Sequence, residues 1–344
     1  MIDFILNGQV YLFLIIFVMM IAGMIKEHQL FKDLFCFFEQ SLKSKKAVVT
    51  IVSALTGLLP IKGRVTVSAG MLDTLAPPKG SPGREKFGPI DYLATHHYYF
   101  WSPLEKTVIL PMAAFGLSYT AFMSIMWPLL AISIAWILFY IIYMVDEKDI
   151  QLGDCTTKIK VSRITRYVLP YIVGVLAIIA GIDFLWAFGS LVLYYMVVTR
   201  TFDFKKLIGY VDWKLVGWVA AIIAVANYAN AHTNEIKEFL GNTGLIITEP
   251  TGFIGLSLIA FTASWFLGSS SRFGAFTVIL SSIYGIEYLP WFFAVDFAGY
   301  MLSPMHKCVA IGKMYFGTKL SYYVKILGIW AIGVIATAGV MLYA

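Results

Sequence analysis

The sequence predicts an all-α, polytopic membrane protein with two inverted-topology repeats, each with a re-entrant helical hairpin and a broken transmembrane helix. Of its 344 residues, 59% are hydrophobic and only 13% are charged, whereas a soluble domain carries about 25% charged residues. The apolar residues form blocks of roughly 17 to 25, long enough to cross about 30 Å of hydrocarbon as a helix. Polar residues, Gly or Pro interrupt two blocks in each half, which predicts the hairpins and the broken helices.

Helices fit the apolar blocks better than membrane strands do. Val10 to Ile25 and Ala121 to Val145 are apolar on every face, whereas barrel strands alternate apolar and polar residues. The formal charge of +6 comes from Lys and Arg in short loops between the blocks, so we expect no nucleic-acid partner. Cys36, Cys155 and Cys308 lie far apart without metal-ligand spacing, and we expect neither a disulfide framework nor a zinc site.

Positive charges set the expected orientation of the first half. Lys residues follow the first span, residues 9–25, and none precedes it, which places the N-terminus outside and residues 26–46 in the cytoplasm. The amphipathic part of that segment is expected to lie along the interface. A hairpin over 47–78, broken between Leu59 and Arg64, then enters from the cytoplasm. Residues 89–117 cross outward and 121–145 return to a basic cytoplasmic loop, 146–166.

The second half repeats this order in the opposite orientation. Two linking spans come first, followed by a basic cytoplasmic segment and then the repeated elements. In chain order we predict spans at 167–182, 184–199 and 215–231, an amphipathic piece at 232–241, a broken block at 250–286, a long block at 288–317 and a final span at 321–344. The predicted units are a first repeat over 1–146, a cytoplasmic loop with two linking spans over 147–214, and a second repeat over 215–344. Both termini are expected outside a cell (inner) membrane.

A residue-level comparison supports the repeat. Moving residues 99–116 onto 300–317, an offset of 201, gives seven identities in 18 positions, where about one or two are expected by chance. The alternative is coincidence between two Tyr- and Phe-rich helices. The identical pairs are Tyr99 and Tyr300, Ser102 and Ser303, Pro103 and Pro304, Lys106 and Lys307, Val108 and Val309, Phe115 and Phe316, and Gly116 and Gly317.

Inverted repeats with interrupted helices are typical of secondary transporters, whose substrate lies between the halves near the midplane. Two hairpin tips and two proline breaks therefore supply the candidate residues. An arginine near the bilayer centre costs about 2.5–3.5 kcal/mol on insertion scales, so one per tip indicates an anionic substrate. The alternative is that the hydroxyls cap helices and the arginines snorkel or pair with carboxylates. The substrate-binding candidates are Arg64, Thr66, Ser68, Ser102, Ser269, Ser270, Ser271, Arg272, Ser303 and His306.

Four further residues are candidates for the coupling ion: Gly63, Gly268, Glu105 and Asp296. Proline frees a carbonyl in each broken helix, and Glu105 and His306 occupy equivalent positions there. Either could carry a coupling proton; the alternative places both at helix ends facing water, with Lys106 and Lys307 snorkelling. Asp296 lies in an apolar stretch, as a functional group or as a structural partner of Arg272.

Enzyme chemistry has less support. Adjacent histidines on a helix point about 100° apart, so His96 and His97 are expected to be an interfacial pair. Neither a nucleophile system nor a phosphate-binding loop is recognisable. We therefore expect no enzyme and no cofactor beyond sodium or a proton. The alternatives are a membrane-embedded enzyme acting on a lipid-linked substrate, with His97, His306 or Asp296 as acid or base, and a channel.

Several short motifs resemble an uncharacterised family of integral membrane proteins, a domain of unknown function in the ion transporter superfamily. They are Gly57-Leu58-Leu59-Pro60, Ser68-Ala69-Gly70, Leu302 to His306 and Tyr315-Phe316-Gly317. Relatives in that superfamily include divalent anion/sodium symporters and the large membrane subunit of tripartite periplasmic transporters. The tips here depart from the Ser-Asn-Thr motif of the dicarboxylate members.

This resemblance implies an elevator mechanism, in which hairpins and broken helices slide against a scaffold that often dimerises. It also implies carboxylate substrates and sodium at the tips. The scaffold would consist of residues 9–25, 121–145, 167–231 and 321–344. The sequence thus predicts an ion-gradient-coupled secondary transporter of a small anion, embedded in the lipid bilayer, and the resemblance implies a homodimer.

Overall fold

The computed structural model describes residues 2–27, 30–57, 64–103, 105–152, 161–242, 250–268 and 274–343. Within these ranges all regular structure is helical and no strand occurs, which confirms the all-α class. The helices are α1 (Ile2–Glu27), α2 (Leu30–Ser41), α3 (Lys45–Gly57), α4 (Arg64–Leu75), α5 (Phe87–Ala94), α6 (Lys106–Phe115), α7 (Tyr119–Phe139), α8 (Val161–Ile179), α9 (Phe184–Thr199), α10 (Phe204–Gly209), α11 (Trp213–Ala231), α12 (Thr233–Asn242), α13 (Pro250–Leu267), α14 (Ala275–Tyr284), α15 (Leu289–Leu302), α16 (Lys307–Phe316) and α17 (Leu320–Tyr343).

Three of the described helices are long and apolar enough to cross a membrane: Tyr119–Met144, Pro250–Leu267 and Leu320–Tyr343. The first continues α7 through one π-helical turn. The first and third coincide with predicted spans. The second was predicted as one arm of a hairpin, yet its 18 residues span about 27 Å at 1.5 Å per residue. Since α14 has only 10 residues, the arms of this hairpin are unequal.

Both long blocks that contain a Ser-Pro pair are broken at that pair. The first resumes as α6 at Lys106 and the second as α16 at Lys307. Adding 201 to the bounds of α6 gives the bounds of α16, and adding 201 to the first residue of α7 gives the first residue of α17. Gly116 and Gly317 end α6 and α16 in the left-handed conformation at φ 63° and 69°, which only glycine adopts readily. The offset found in the sequence is therefore also an offset between helix boundaries.

The buried residues form two large clusters. One joins α3–α7 to α15–α17, and the other joins α1, α9 and α11 to α6, with Val278 of α14. The predicted scaffold included 121–145 and 321–344, but α7 and α17 pack with the first hairpin and the broken helices. Aspartates cap three helices of the other group: Asp183 at α9, Asp203 at α10 and Asp212 at α11.

Loops that were predicted to share the cytoplasmic side meet at one end of the molecule. Lys45 Nζ donates to Ile150 O at 2.8 Å, and Lys86 Nζ lies 3.0 Å from Asp149. Arg84 is buried there against Asp73 and donates to Tyr315 O at 2.8 Å. The hairpin, the loop after it and the ends of α7 and α16 therefore form one polar cluster.

The cysteines differ from expectation. Cys36 is disulfide-bonded, whereas the scattered cysteines predicted no such bond. Cys155 lies outside the described residues. Cys308 is a buried thiol that forms no disulfide.

Candidate functional site

The helix pair α13 and α14, predicted as the second hairpin, contacts both helix breaks. A Cβ built on Gly268, directly after α13, lies 2.7 Å from Ser303 Oγ and 2.9 Å from the carbonyl carbon of Met305. A Cβ built on Gly274, directly before α14, lies 3.8 Å from the Cα of Thr107. The two ends of this hairpin therefore touch breaks that belong to different halves of the chain. We call Gly268, Gly274, Thr107 and Ser303 the junction.

Asp296 holds one side of the junction together. Its side chain is fully buried and accepts hydrogen bonds from Gly274 N at 3.1 Å, from Thr277 Oγ1 at 2.9 Å and from Ser264 Oγ. A carboxyl group at a helix N-terminus is stabilised by the N–H groups and by the helix dipole. Asp296 thus fastens α13 and α14 to α15. The predicted pairing with Arg272 lies outside the described residues.

The two breaks have matching backbone hydrogen bonds. Glu105 N donates to Ser102 O at 3.0 Å, and His306 N donates to Ser303 O at 3.2 Å. Ser102 and Ser303 are buried, whereas Glu105 is half-buried. The two cap positions differ, because His306 Nδ1 accepts from Cys308 N at 3.1 Å and the Glu105 side chain makes no cap hydrogen bond.

Lys106 and Lys307 occupy equivalent positions but different environments. Lys106 is 9% exposed and buried in the first turn of α6, while Lys307 is exposed. The alternative in which both lysines snorkel is therefore wrong for Lys106. Thr107, next to it, is fully buried and donates to Tyr99 O at 2.8 Å. A buried lysine thus stands where α6 begins, beside the junction.

The remaining candidates belong to the two predicted tips. Thr66 is exposed, and Ser68 is buried next to the Asp91 side chain, a neighbour that the sequence did not indicate. Arg64 begins α4, and its side chain is not described. Gly63 and the run Ser269, Ser270, Ser271 and Arg272 lie outside the described residues.

A second group of chemically active side chains lies beside the junction. His96, His306 and Cys308 are all buried, and one ligand atom from each lies within 4.8 Å of the others. The expectation that His96 and His97 form an interfacial pair is wrong, because they are only 2% and 9% exposed. Helical spacing could not reveal this group, since 212 residues separate His96 from Cys308.

No curated protein matches this chain. One family does match, over residues 1–151, which is less than half of the sequence. Its match covers the first hairpin, the first break and α7, and includes nothing of the second half. The wider ion transporter superfamily gains no support from this match. Over residues 1–151 the chain is similar to a family described as "Protein of unknown function (DUF401)".

Proposed function

We propose that this protein is a secondary active transporter of a small anion, with a carboxylate as the first candidate, driven by a sodium or proton gradient. The junction is the observation that carries the proposal. Two interrupted helices and the ends of one hairpin meet there, and freed backbone groups within a membrane must be satisfied by protein, water, ion or substrate.

Four features support two inverted copies of one unit. Helices α11 to α17 correspond one to one, in chain order, to helices α1 to α7. The 201-residue offset relates both the post-break helices and the residues that cap them. Loops that the inverted topology assigns to one side meet at one end of the molecule. Each half places its post-break helix against the other half's hairpin, α6 against α14 and α16 against α4.

The charges near the junction favour an anion. Asp296 already fills the N-terminus of α14 with a carboxyl group, so that helix end has no place for a second anion. The N-terminus of α6 carries the buried Lys106 instead. Positive charge and a helix N-terminus at one place attract anions. Arg272 and Ser269 to Ser271, the candidates predicted for the second tip, lie outside the described residues.

Alternating access follows from the same arrangement. The first hairpin, the broken helices and α7 and α17 share one apolar core, and α1, α9 and α11 pack in another that also includes one face of α6. Movement of one core against the other would expose the junction first to one side and then to the other. Exposed apolar surface on α7 and α17 (Trp127, Ile132, Ile332 and Val340) would face lipid or a second copy in a homodimer.

Uptake into proteoliposomes tests the proposal. We expect radiolabelled mono- or dicarboxylate, phosphate or sulfate to accumulate only under an imposed sodium or proton gradient. Lys106→Met should lower uptake at least about tenfold, because removing a buried charged contact costs about 2–5 kcal/mol. Lys307→Met is the matched control and should leave uptake unchanged. Gradient-independent flux would indicate a channel, and equal uptake by both variants would remove Lys106 from the site.

A further inference from the structure

His96, His306 and Cys308 come together at the contact between the two halves. His96 follows α5, His306 caps α16, and Cys308 lies in the first turn of α16. Their exposed fractions are 2%, 3% and 6%. The rings of Tyr92 and Tyr300 pack against His306 at centroid distances of 4.8 and 4.3 Å. The cluster is therefore shielded from solvent by aromatic side chains.

The hydrogen bond of His96 fixes which of its nitrogens is available. Nδ1 lies 2.6 Å from Tyr92 O, and a carbonyl only accepts, so Nδ1 carries the proton. The lone pair of the neutral ring is then on Nε2, which lies 3.8 Å from Cys308 Sγ. Metal-binding histidines commonly donate their second ring N–H to a backbone carbonyl in this way.

The separation of these two atoms suits a shared metal ion. Zinc binds sulfur at about 2.3 Å and nitrogen at about 2.0–2.1 Å in a tetrahedral arrangement, which puts the two ligand atoms about 3.6 Å apart. The observed 3.8 Å is close to that value. All three ligand atoms lie within 4.8 Å of one another, so the widest pair would need to close by about 1.2–1.4 Å.

His306 is the ligand that loses a hydrogen bond when it binds a metal ion. Its Nδ1 accepts the backbone N–H of Cys308 at 3.1 Å, so the neutral ring carries its proton on Nε2. Coordination through a neutral ring, whichever nitrogen is used, breaks this helix cap. Metal binding at His306 therefore exchanges one hydrogen bond at the start of α16 for a coordinate bond.

We propose that His96, His306 and Cys308 form a binding site for a thiophilic transition-metal cation, with Zn²⁺ as its ligand of first choice. Two nitrogens and one thiolate suit Zn²⁺ better than sodium, magnesium or calcium, which prefer oxygen ligands. The thiol proton of Cys308 is released when the sulfur binds the metal. Three protein ligands leave a fourth position for water or another donor. The site stands on this cluster alone and does not depend on transport.

Cobalt titration of the purified full-length protein tests the site. After chelator treatment in detergent, we expect Co²⁺ to give a thiolate-to-cobalt charge-transfer band in the near ultraviolet, saturating at one ion per chain and abolished by added Zn²⁺. Cys308→Ser should remove the band. His96→Gln and His306→Asn should each weaken Zn²⁺ binding at least about tenfold. The His306→Asn variant is informative about folding, because asparagine is itself a favoured helix cap.

His97→Gln is the matched control, since His97 is also buried but bonds to Ala94 O and lies outside the cluster. It should bind metal as the unaltered protein does. Absence of the cobalt band in the unaltered protein would overturn the proposal. An undiminished band in Cys308→Ser, or undiminished Zn²⁺ affinity in His306→Asn, would overturn it as well.

Discussion

A buried carboxyl group such as Asp296 needs donors for both of its oxygens. Two hydroxyls and one backbone N–H supply them here, and each belongs to α13, α14 or the residue that precedes α14. A single residue thus fixes the positions of α13 and α14, whose facing ends lie beside the two helix breaks. Substitution of Asp296 should therefore lower the stability of the fold, even if the side chain contacts no substrate.

Asp296→Asn should therefore lower the free energy of unfolding by about 1.5–3 kcal/mol, the range for hydrogen bonds to charged groups. The amide supplies only one acceptor oxygen and turns its NH₂ group toward the donors. Thermal unfolding in detergent measures the effect. Asp183→Asn is the same substitution at the exposed cap of α9 and should change little, because Asn and Asp cap helices about equally well. Equal shifts in the two variants would contradict this role of Asp296.

The ion pairs of Lys86, at the polar end of the molecule, predict that the stability of the fold depends on pH. Burial lowers the pKa of Lys86, but hydrogen bonds to Asp149 and Asp146 outweigh it and raise this pKa above 10.5. The same contact lowers the pKa of Asp146 below 3.8. Lys86 therefore stabilises the fold below pH 10.5 and loses that effect as the pH rises through its folded pKa. Asp146 stabilises it above pH 3.8 and loses that effect as the pH falls through its folded pKa.

Lys86→Met should accordingly lower the melting temperature by a small, constant amount between these limits, since partly exposed ion pairs contribute about 0.2–1 kcal/mol. The difference from the unaltered protein should vanish in acid. Lys79→Met, at an exposed lysine nearby, should show no such profile. A difference that persists in acid would mean that Lys86 acts through packing.

The sequence could indicate the types of residue in the site but not their burial. Lys106 and Lys307 follow the same Ser-Pro motif, yet one is buried and the other exposed because α6 packs on α1, α11 and α14 while α16 packs on α4 and α5. His96 and Cys308 meet only through contact between distant segments. Such contacts leave no periodic signal in the chain.

At the scale of elements, the positions of the helix breaks were more predictable than the lengths of the helices. Gly and Pro act on their own few residues of backbone, so the ends of α13 and α15 and the starts of α6, α14 and α16 fell where expected. The length of α13 did not, because the apolar pattern of 250–267 suits a full span and a hairpin arm equally. Only packing against α15 and α14 distinguishes these arrangements.

Gly268 is the position where this local geometry should be least tolerant. Its φ of +49° and the approach of Met305 within 3.0 Å of a built Cβ both oppose a side chain. Gly268→Ala should cost about 1–3 kcal/mol from backbone strain alone and should reduce uptake by displacing the second break. Gly217→Ala on α11 is the control, because nothing lies within 4 Å of its built Cβ; it should be neutral or slightly stabilising. Both are measured by thermal unfolding and uptake.

At the scale of the whole molecule, loop charge and the disulfide indicate opposite orientations in the membrane. Loop charge predicts that residues 26–46 and 146–166 lie in the cytoplasm. The disulfide at Cys36 favours an oxidising compartment instead. These two indications oppose each other for the same segment. They also bear on the inverted repeat, whose second hairpin must enter from the side opposite to the first.

Labelling of single cysteines at two exposed loop positions decides between the two orientations. In a background with the native cysteines replaced by serine, Lys148→Cys marks the loop before α8 and Ile182→Cys marks the turn after it. In right-side-out vesicles a membrane-impermeant maleimide should label Ile182→Cys and reach Lys148→Cys only after detergent is added. The reverse pattern would keep the fold and invert its orientation, in agreement with the disulfide. Labelling of both in intact vesicles would mean that α8 does not cross the membrane, and the opposed orientation of the two halves would then fail with it.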